Sequence, residues 1–446
     1  MQQPPLLPRG VGRPVFAVAF VACLYLITLP GTWIGTDQGE MILTAQRLVE
    51  RGTFTLADDG RLPVKDAPWA THRAGQPVRS RLHPATSVLS APLVMLDRAL
   101  GYRDPLRNGH VIYLQGFAFA TAALALLGYF LRAAGAAPGD ASLAILFVGT
   151  SYPLWTVSRA GGAEPILAVA AIAYAGAREA ARSSGSPDRF LAVRAGCLLL
   201  MPWIHPIGFV LAPVFGVAES LWSEAAARRI AAVVASAGVM GSLVFSLLWS
   251  YGYHGQLLAG GYAQAGGWSF FDTNPLYGAW TLIRDLVRDA PFVLALPLLA
   301  ALLGDARSRA AWPLPALGLA LIVALFASLF EREAVRRFAP LMPLLGLPLG
   351  LGWPRLAGPI ERAQLLVLAS IAWSLQRLLA VMGAYYPGPD GLFYPAIVWF
   401  KLAIDQGWSA SWAVPVLVLG IALVVLWRRV FPAASVSPAT ARSADR

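Results

Sequence analysis

The chain has 446 residues, 57% of them hydrophobic and 13% charged, with a formal net charge of +11. Soluble domains average about 25% charged residues, and here the shortfall runs along the whole length, which excludes a water-soluble surface. Nearly all of the cations are arginine. In a chain made of apolar runs they read as loop residues that set membrane topology, with contacts to anionic lipid or phosphate, and no nucleic acid is expected as a partner.

A bilayer core takes about 20 apolar residues per helix, and many such runs are present. They predict an all-α, polytopic membrane protein; the alternation of a transmembrane barrel is missing. Residues 13–33 form the first predicted span, preceded by Arg9 and Arg13. No small-residue cleavage site follows, so it reads as an uncleaved anchor. Further spans are predicted near 109–131, 140–157, 164–181, 190–203, 205–222, 229–251, 290–304, 312–330, 338–353, 363–384 and 410–427, which makes twelve. Pro202 and Pro206 interrupt the pair over 190–222.

Arg132, then Arg178, Arg182 and Arg189, then Arg228 and Arg229, then Arg307 and Arg309, then Arg355 and Arg362, then Arg428 and Arg429 fall on one side. The positive-inside rule makes that side cytoplasmic and puts both termini there. Three larger segments face the other side: 35–108, with interfacial helices, 252–289 and 386–409. None is large enough for a domain of its own. Residues 1–427 therefore read as one transmembrane domain and 428–446 as a disordered cytoplasmic tail. No repeat relates the two halves. Cys23 and Cys197 lie inside apolar runs, so neither a disulfide nor a metal site is expected, and no cofactor is expected either.

Candidate functional residues follow in chain order. Within 38–52, Met41, Ala45, Leu48 and Val49 recur at helical spacing and predict an amphipathic helix on the outer membrane surface. Asp37 and Glu40 share one end of it. As N-cap and third residue they form a capping box; as a fixed carboxylate at the membrane surface, Asp37 is also a candidate general base. Arg79, Arg81 and His83 lead into a Pro-started apolar segment too short to span, suited to a re-entrant or interfacial helix. They either approach a phosphate near that helix start or snorkel to lipid headgroups. In "SRAGGAEP", 158–165, Arg159 and Glu164 stand at the outer surface between spans three and four. Pro165 as a helix start makes Glu164 a dipole-favoured cap or a ligand group. In "EREAVRRFAPLMP", 331–343, Arg332, Arg336 and Arg337 stand on the outer side at a helix N-terminus. Charge bias and helix dipole both disfavour cations there, and a bound anion supplies the compensation; Glu331 and Glu333 are the alternative partners. His205, between Pro202 and Pro206, is either a satisfied membrane histidine or a ligand group.

Taken together, "TDQGEMILTAQRLVERG", "VRSRLHPATSVLSAP", "SRAGGAEP", "GGYAQAGGWSFFDTNPLYGAWTLIRDLVRDAPFVLALP" and "RRFAPLMPLLGLP" resemble, in this order, the GT-C glycosyltransferases. The likeness is to the branch holding protein O-mannosyltransferases and the bacterial aminoarabinose transferase, and it covers roughly residues 13–353. It implies a GT-C-like fold in a bacterial inner (plasma) membrane. The active site would face the periplasm or cell exterior. A sugar would pass from a polyprenyl-phosphate donor to a hydroxyl of a lipid, glycan or protein acceptor, with inversion. By the same resemblance Asp37 is the base, Glu40 or Glu164 orients substrate, Arg337, Arg336 and Arg81 hold the phosphate, and metal is not used. His83, Arg159 and His205 complete the expected substrate-binding set. Two other readings stay open: a transporter or flippase of an amphiphilic anion or lipid-linked sugar, and a non-catalytic membrane scaffold.

Overall fold

The computed structural model describes residues 13–28, 36–56, 78–80, 82–102, 111–160, 162–223, 227–255, 274–326, 334–356, 360–385 and 413–431. These are almost entirely helical. Helix α1 is Pro14–Ile27 and α2 is Thr36–Arg51. A two-residue antiparallel pairing follows, Thr55 with Arg79 and Leu56 with Val78. Then come α3 Pro84–Ala99, α4 Gln115–Ala133, α5 Pro138–Gly149, α6 Tyr152–Ala160, α7 Ala163–Ser184, α8 Leu191–Ile204, α9 Pro206–Trp222 and α10 Arg228–Phe245. A π-helical stretch, Ser246–Tyr251, prolongs α10. The chain continues with α11 Pro275–Asp289, α12 Pro291–Leu303, α13 Ala306–Ala311, α14 Pro313–Phe326, a 3-10 helix Ala334–Leu341, α15 Met342–Leu356, α16 Ile360–Tyr385 and α17 Ala413–Val430.

Proline sets many of the starts. It occupies the first turn of α1, α3, α5, α9, α11 and α12, where its missing N–H has no intrahelical partner to lose. The main core joins α1, α4, α5, α6, α7, α9 and α15 through Tyr25, Leu124, Leu127, Phe147, Trp155, Tyr174, Phe215 and Leu345, all but completely buried. Small residues let these helices close up, as membrane helices do. A Cβ on Gly149 would stand 2.7 Å from Val21 Cγ1. Meanwhile Leu200, Leu247, Leu248, Leu302, Leu365 and Leu417 lie exposed, a surface suited to lipid and costly in water.

Three described helices are long and apolar enough to cross a membrane: 115–133, 228–254 and 306–326. The number rises to five if each of two bent pairs is one span, Pro138–Gly149 with Tyr152–Arg159 at 67° and Pro275–Asp289 with Pro291–Leu303 at 93°. Pro14–Ile27, Leu191–Ile204 and Pro206–Trp222 are apolar but shorter. All twelve predicted segments contain a helix; prolines and bends keep most of them under the length of a full crossing. The 386–409 segment and residues 432–446 of the tail lie outside the described residues.

The first loop departs from expectation in one respect. Helix α2 buries Met41, Ile42, Leu43 and Ala45 against Leu56, Leu82, Val94 and Ile112. Its apolar face thus packs on α3 and its neighbours and not on lipid. Helix α3 does the reverse. It buries Thr86, Ser87, Ser90 and Asp97 and exposes Val88, Leu89, Met95 and Leu96. A helix polar toward protein and apolar outward is what an interfacial or re-entrant segment requires.

Candidate functional site

Helix α2 begins at Thr36, so Asp37 stands in its first turn and not at the cap. The predicted capping box, with Asp37 as the cap and Glu40 as the third residue, is therefore out of register with this helix start. The side chain of Asp37 lies outside what the structure describes. Glu40 is fully buried. Ser80 Oγ donates to Glu40 Oε1 at 2.8 Å, so this carboxylate reaches across the loop. Ser80 Oγ in turn accepts from the Leu82 amide at 3.2 Å. Arg81, between them, is outside the described residues, as are Glu331, Arg332 and Glu333.

One residue further on, His83 precedes α3 in extended conformation. Its Nδ1 lies 2.6 Å from the Pro202 carbonyl oxygen. A carbonyl only accepts, so Nδ1 carries the proton. The ring is buried and stacks on Phe245 at 4.6 Å. Burial pushes its pKa down to about 3, because desolvation penalises the charged imidazolium. His83 therefore fastens the first loop to the C-terminal end of α8.

That end is the α8–α9 break. His205 is extended, with φ −156° and ψ 148°, between the two helices. Its Nδ1 accepts from the Ile207 amide at 3.1 Å and so caps α9. Its Nε2 reaches Arg337 Nη1 at 3.3 Å. Arg337 Nη1 is also 3.4 Å from Glu164 Oε1, and Arg336 Nε is 3.9 Å from the same oxygen. The Arg337 guanidinium lies over the Phe326 ring, 5.6 Å from its centre. The 3-10 helix carrying both arginines packs on α6, α7 and α14.

Glu164 sits in the first turn of α7, which starts at Ala163 with Gly162 as its cap; the expected start at Pro165 is two residues late. Gly162 has φ +128°, and a Cβ there would stand 3.0 Å from Glu164 Oε2. Glycine alone lets the carboxylate fold back over its own helix start. Arg159, buried at the end of α6, donates from Nε to the Thr28 carbonyl. Trp155 Nε1 donates to Thr28 Oγ1 at 2.8 Å. Arg159 thus fixes the end of α1, a short way before Asp37 in the chain.

The structure brings together Glu164, His205, Arg336 and Arg337, links them through the Pro202 turn to His83, and continues through Leu82 and Ser80 to Glu40. No family model and no curated protein matches this chain.

Sequence reasoning missed Ser80, Thr28 and a second polar cluster. Asp289, buried at the end of α11, pairs with Arg377 Nε at 2.7 Å and with Arg288 Nε at 2.8 Å. Trp373 Nε1 donates to the Arg288 carbonyl at 2.7 Å. An arginine inside the apolar run of α16 was the available signal, since intramembrane cations pair and face inward. No group of three or more His, Cys, Asp or Glu able to hold a metal ion occurs among the described residues.

Proposed function

We propose that this chain is an integral membrane glycosyltransferase. It moves a sugar from a polyprenyl-phosphate donor to a hydroxyl of a lipid, glycan or protein acceptor, with inversion. The single observation that carries this reading is the polar path from Glu40 through Ser80, His83 and His205 to Arg337, Arg336 and Glu164. It joins an acidic helix start to paired arginines, which is what displacement at an anomeric carbon needs. Arginine stabilises the negative charge that grows on the departing lipid phosphate. An acid at the other end, Asp37, takes the proton of the acceptor hydroxyl. Glu40 and Glu164 orient the groups between. The expected arrangement is a GT-C-like domain of about twelve spans, with both termini inside and the site on the extracytoplasmic face of a bacterial inner membrane.

The test is transfer from a labelled lipid-linked sugar in reconstituted membranes. Arg337→Ala weakens donor binding and slows turnover by about ten- to a hundredfold, the worth of a charged hydrogen bond. Arg337→Lys recovers only part, because a point charge does not replace the fork. Parental turnover in both variants retires the assignment. For orientation, cysteine at the exposed Thr53 is labelled by an impermeant reagent in intact cells and cysteine at Ser184 is not; the reverse pattern moves the site to the cytoplasm.

A transporter or flippase of an amphiphilic anion or lipid-linked sugar is the second reading. The two helix pairs bent by 67° and 93° favour it, since broken helices build midplane transport sites. Accumulation of intact labelled donor in vesicles, without transfer, selects it.

A further inference from the structure

Helix α11 has two apolar faces. Leu282, Leu286 and the Asp289 carboxylate are buried toward the protein. Leu276, Trp280, Ile283 and Val287 recur every three or four residues and share a different face. That stripe stands free: Leu276 is 81% exposed and Trp280 61%. Tyr277, Arg284 and Arg288 flank it and are exposed as well. Helix α12 meets α11 at 93°, so the two cannot both run along the membrane normal. The sequence of α12, PFVLALPLLAALL, holds no charge. That of α11 holds Arg284, Asp285, Arg288 and Asp289, and each charge at a bilayer centre lowers insertion about a hundredfold. The crossing member is therefore α12. At the charged end of α11 three arginines meet two carboxylates. Asp289 Oδ1 is 2.8 Å from Arg288 Nε and 2.7 Å from Arg377 Nε. Asp285 Oδ1 is 3.1 Å from Arg284 Nη2 and 3.4 Å from Arg288 Nη1. One cation is in excess beside the apolar stripe.

We infer that α11 is an in-plane membrane anchor: Leu276, Trp280, Ile283 and Val287 enter the acyl boundary, and Arg284 and Arg288 lie against the phosphates of anionic lipid headgroups. An apolar stripe with basic residues on its flank is the pattern of a helix lying in the interface. Trp280 and Tyr277 suit the headgroup level, where one side of a ring is apolar and the other wet. The arginine stems lie along apolar surface while their guanidinium heads reach outward. Each basic group near an anionic surface adds about fivefold to the attraction. Trp373 Nε1 donates to the Arg288 carbonyl, and Arg377 shares Asp289, so both contacts fasten the end of α11 to α16. The anchor therefore moves with the helices behind it. This inference concerns other residues than the proposed transferase site and stands or falls separately. It also makes 275–303 an interfacial helix followed by a span, so the 93° bend is not a break within one span.

The experiment places a nitroxide on the full chain, carrying Cys23→Ala and Cys197→Ala, at Leu276→Cys, Trp280→Cys, Ile283→Cys or Val287→Cys. The protein is held in nanodiscs of phosphatidylcholine and phosphatidylglycerol. The relative access of oxygen and of a water-soluble nickel chelate gives the depth of each label. All four labels are expected at one shallow depth within the lipid. A crossing helix would instead descend about 1.5 Å per residue, about 16 Å from 276 to 287, and that gradient overturns the anchor. Free access of nickel to all four puts the face in water and overturns it. Poor access of both reagents shows the face covered by protein, whether another segment of this chain or a second copy, and overturns it too. A second measurement tests the headgroups. A fluorophore at Tyr277→Cys is quenched by headgroup-labelled phosphatidylglycerol or phosphatidylcholine. The anionic lipid is expected to be favoured about fivefold, the worth of one excess cation. Arg284→Gln, which leaves the Asp289 pairs intact, is expected to abolish that preference. Equal quenching by the two lipids in the parent, or an undiminished preference in Arg284→Gln, overturns the headgroup contact.

Discussion

Ser80 Oγ donates a 2.8 Å hydrogen bond to Glu40 Oε1 across forty positions of chain. Both residues are buried, so this bond ties the acidic start of α2 to the segment that leads into α3. Ser80→Ala strips one donor from a buried carboxylate and one acceptor from the Leu82 amide. The expected loss is about 1–3 kcal/mol, seen as a lower Tm in detergent. Glu40→Gln keeps an acceptor for the hydroxyl and is milder. Equal melting of Ser80→Ala and the parent would show that water replaces the hydroxyl.

What the residues announced and what they hid follow from range. Pro84, Pro206 and Pro275 mark helix starts through local φ restriction, so a reader of the chain finds them. Arg336, Arg337 and Glu164 stood out because each sits where a helix end or a loop bias disfavours or favours its charge. Their meeting across 173 positions is a tertiary fact that no local pattern encodes. Ser80 had no signal at all, since a serine between two arginines looks like any solvated loop. Helix α2 was placed on the lipid surface because apolar periodicity reports a buried face without naming what buries it. Here the apolar face is covered by Val94 of α3 together with Leu56, Leu82 and Ile112.

Acid should loosen the first loop through His83. Its folded pKa, about 3, is below the unfolded value of about 6.5, so the unfolded chain binds the proton more readily. The linked stability is complete above about pH 6.5 and declines by about 1.4 kcal/mol per unit as pH falls toward 3. His83→Asn keeps a donor for the Pro202 carbonyl and cannot titrate. Melting followed from pH 7 to pH 4 should fall more steeply in the parent than in the variant; parallel curves would assign the acid sensitivity to another group.

The middle of α7 meets a lock with no part in the proposed site. Arg194 donates to Glu219, whose other oxygen lies 2.9 Å from the Tyr174 hydroxyl, and all three are buried. Tyr174 is ten residues along α7 from Glu164, about 15 Å. Arg194→Ala leaves a buried carboxylate without its cation, a loss of about 3–5 kcal/mol. Farnesyl phosphate affinity, measured below the melting range, should stay parental. A change in affinity matching that of Arg337→Ala would extend the site through the membrane domain.

Asp37 separates the readings of the whole molecule. It stands in the first turn of α2, where a carboxylate gains about 0.3–1 kcal/mol from the helix dipole. Asp37→Asn gives up that small term and keeps the size and polarity of the side chain, so Tm should move little. Asparagine cannot take a proton at working pH. If Asp37 is the base, transfer should fall by about a hundred- to ten-thousandfold. Donor binding should be untouched, because the proposed phosphate-holding residues are Arg336 and Arg337. The measurements are sugar transfer, farnesyl phosphate affinity and melting on one preparation. Lost transfer with intact binding and melting assigns the proton step to Asp37. Near-parental transfer leaves the carboxylate as a helix-start charge alone. Parental vesicle uptake of intact donor in the same variant would then favour the transporter, since moving an anion past the arginines asks nothing of a base.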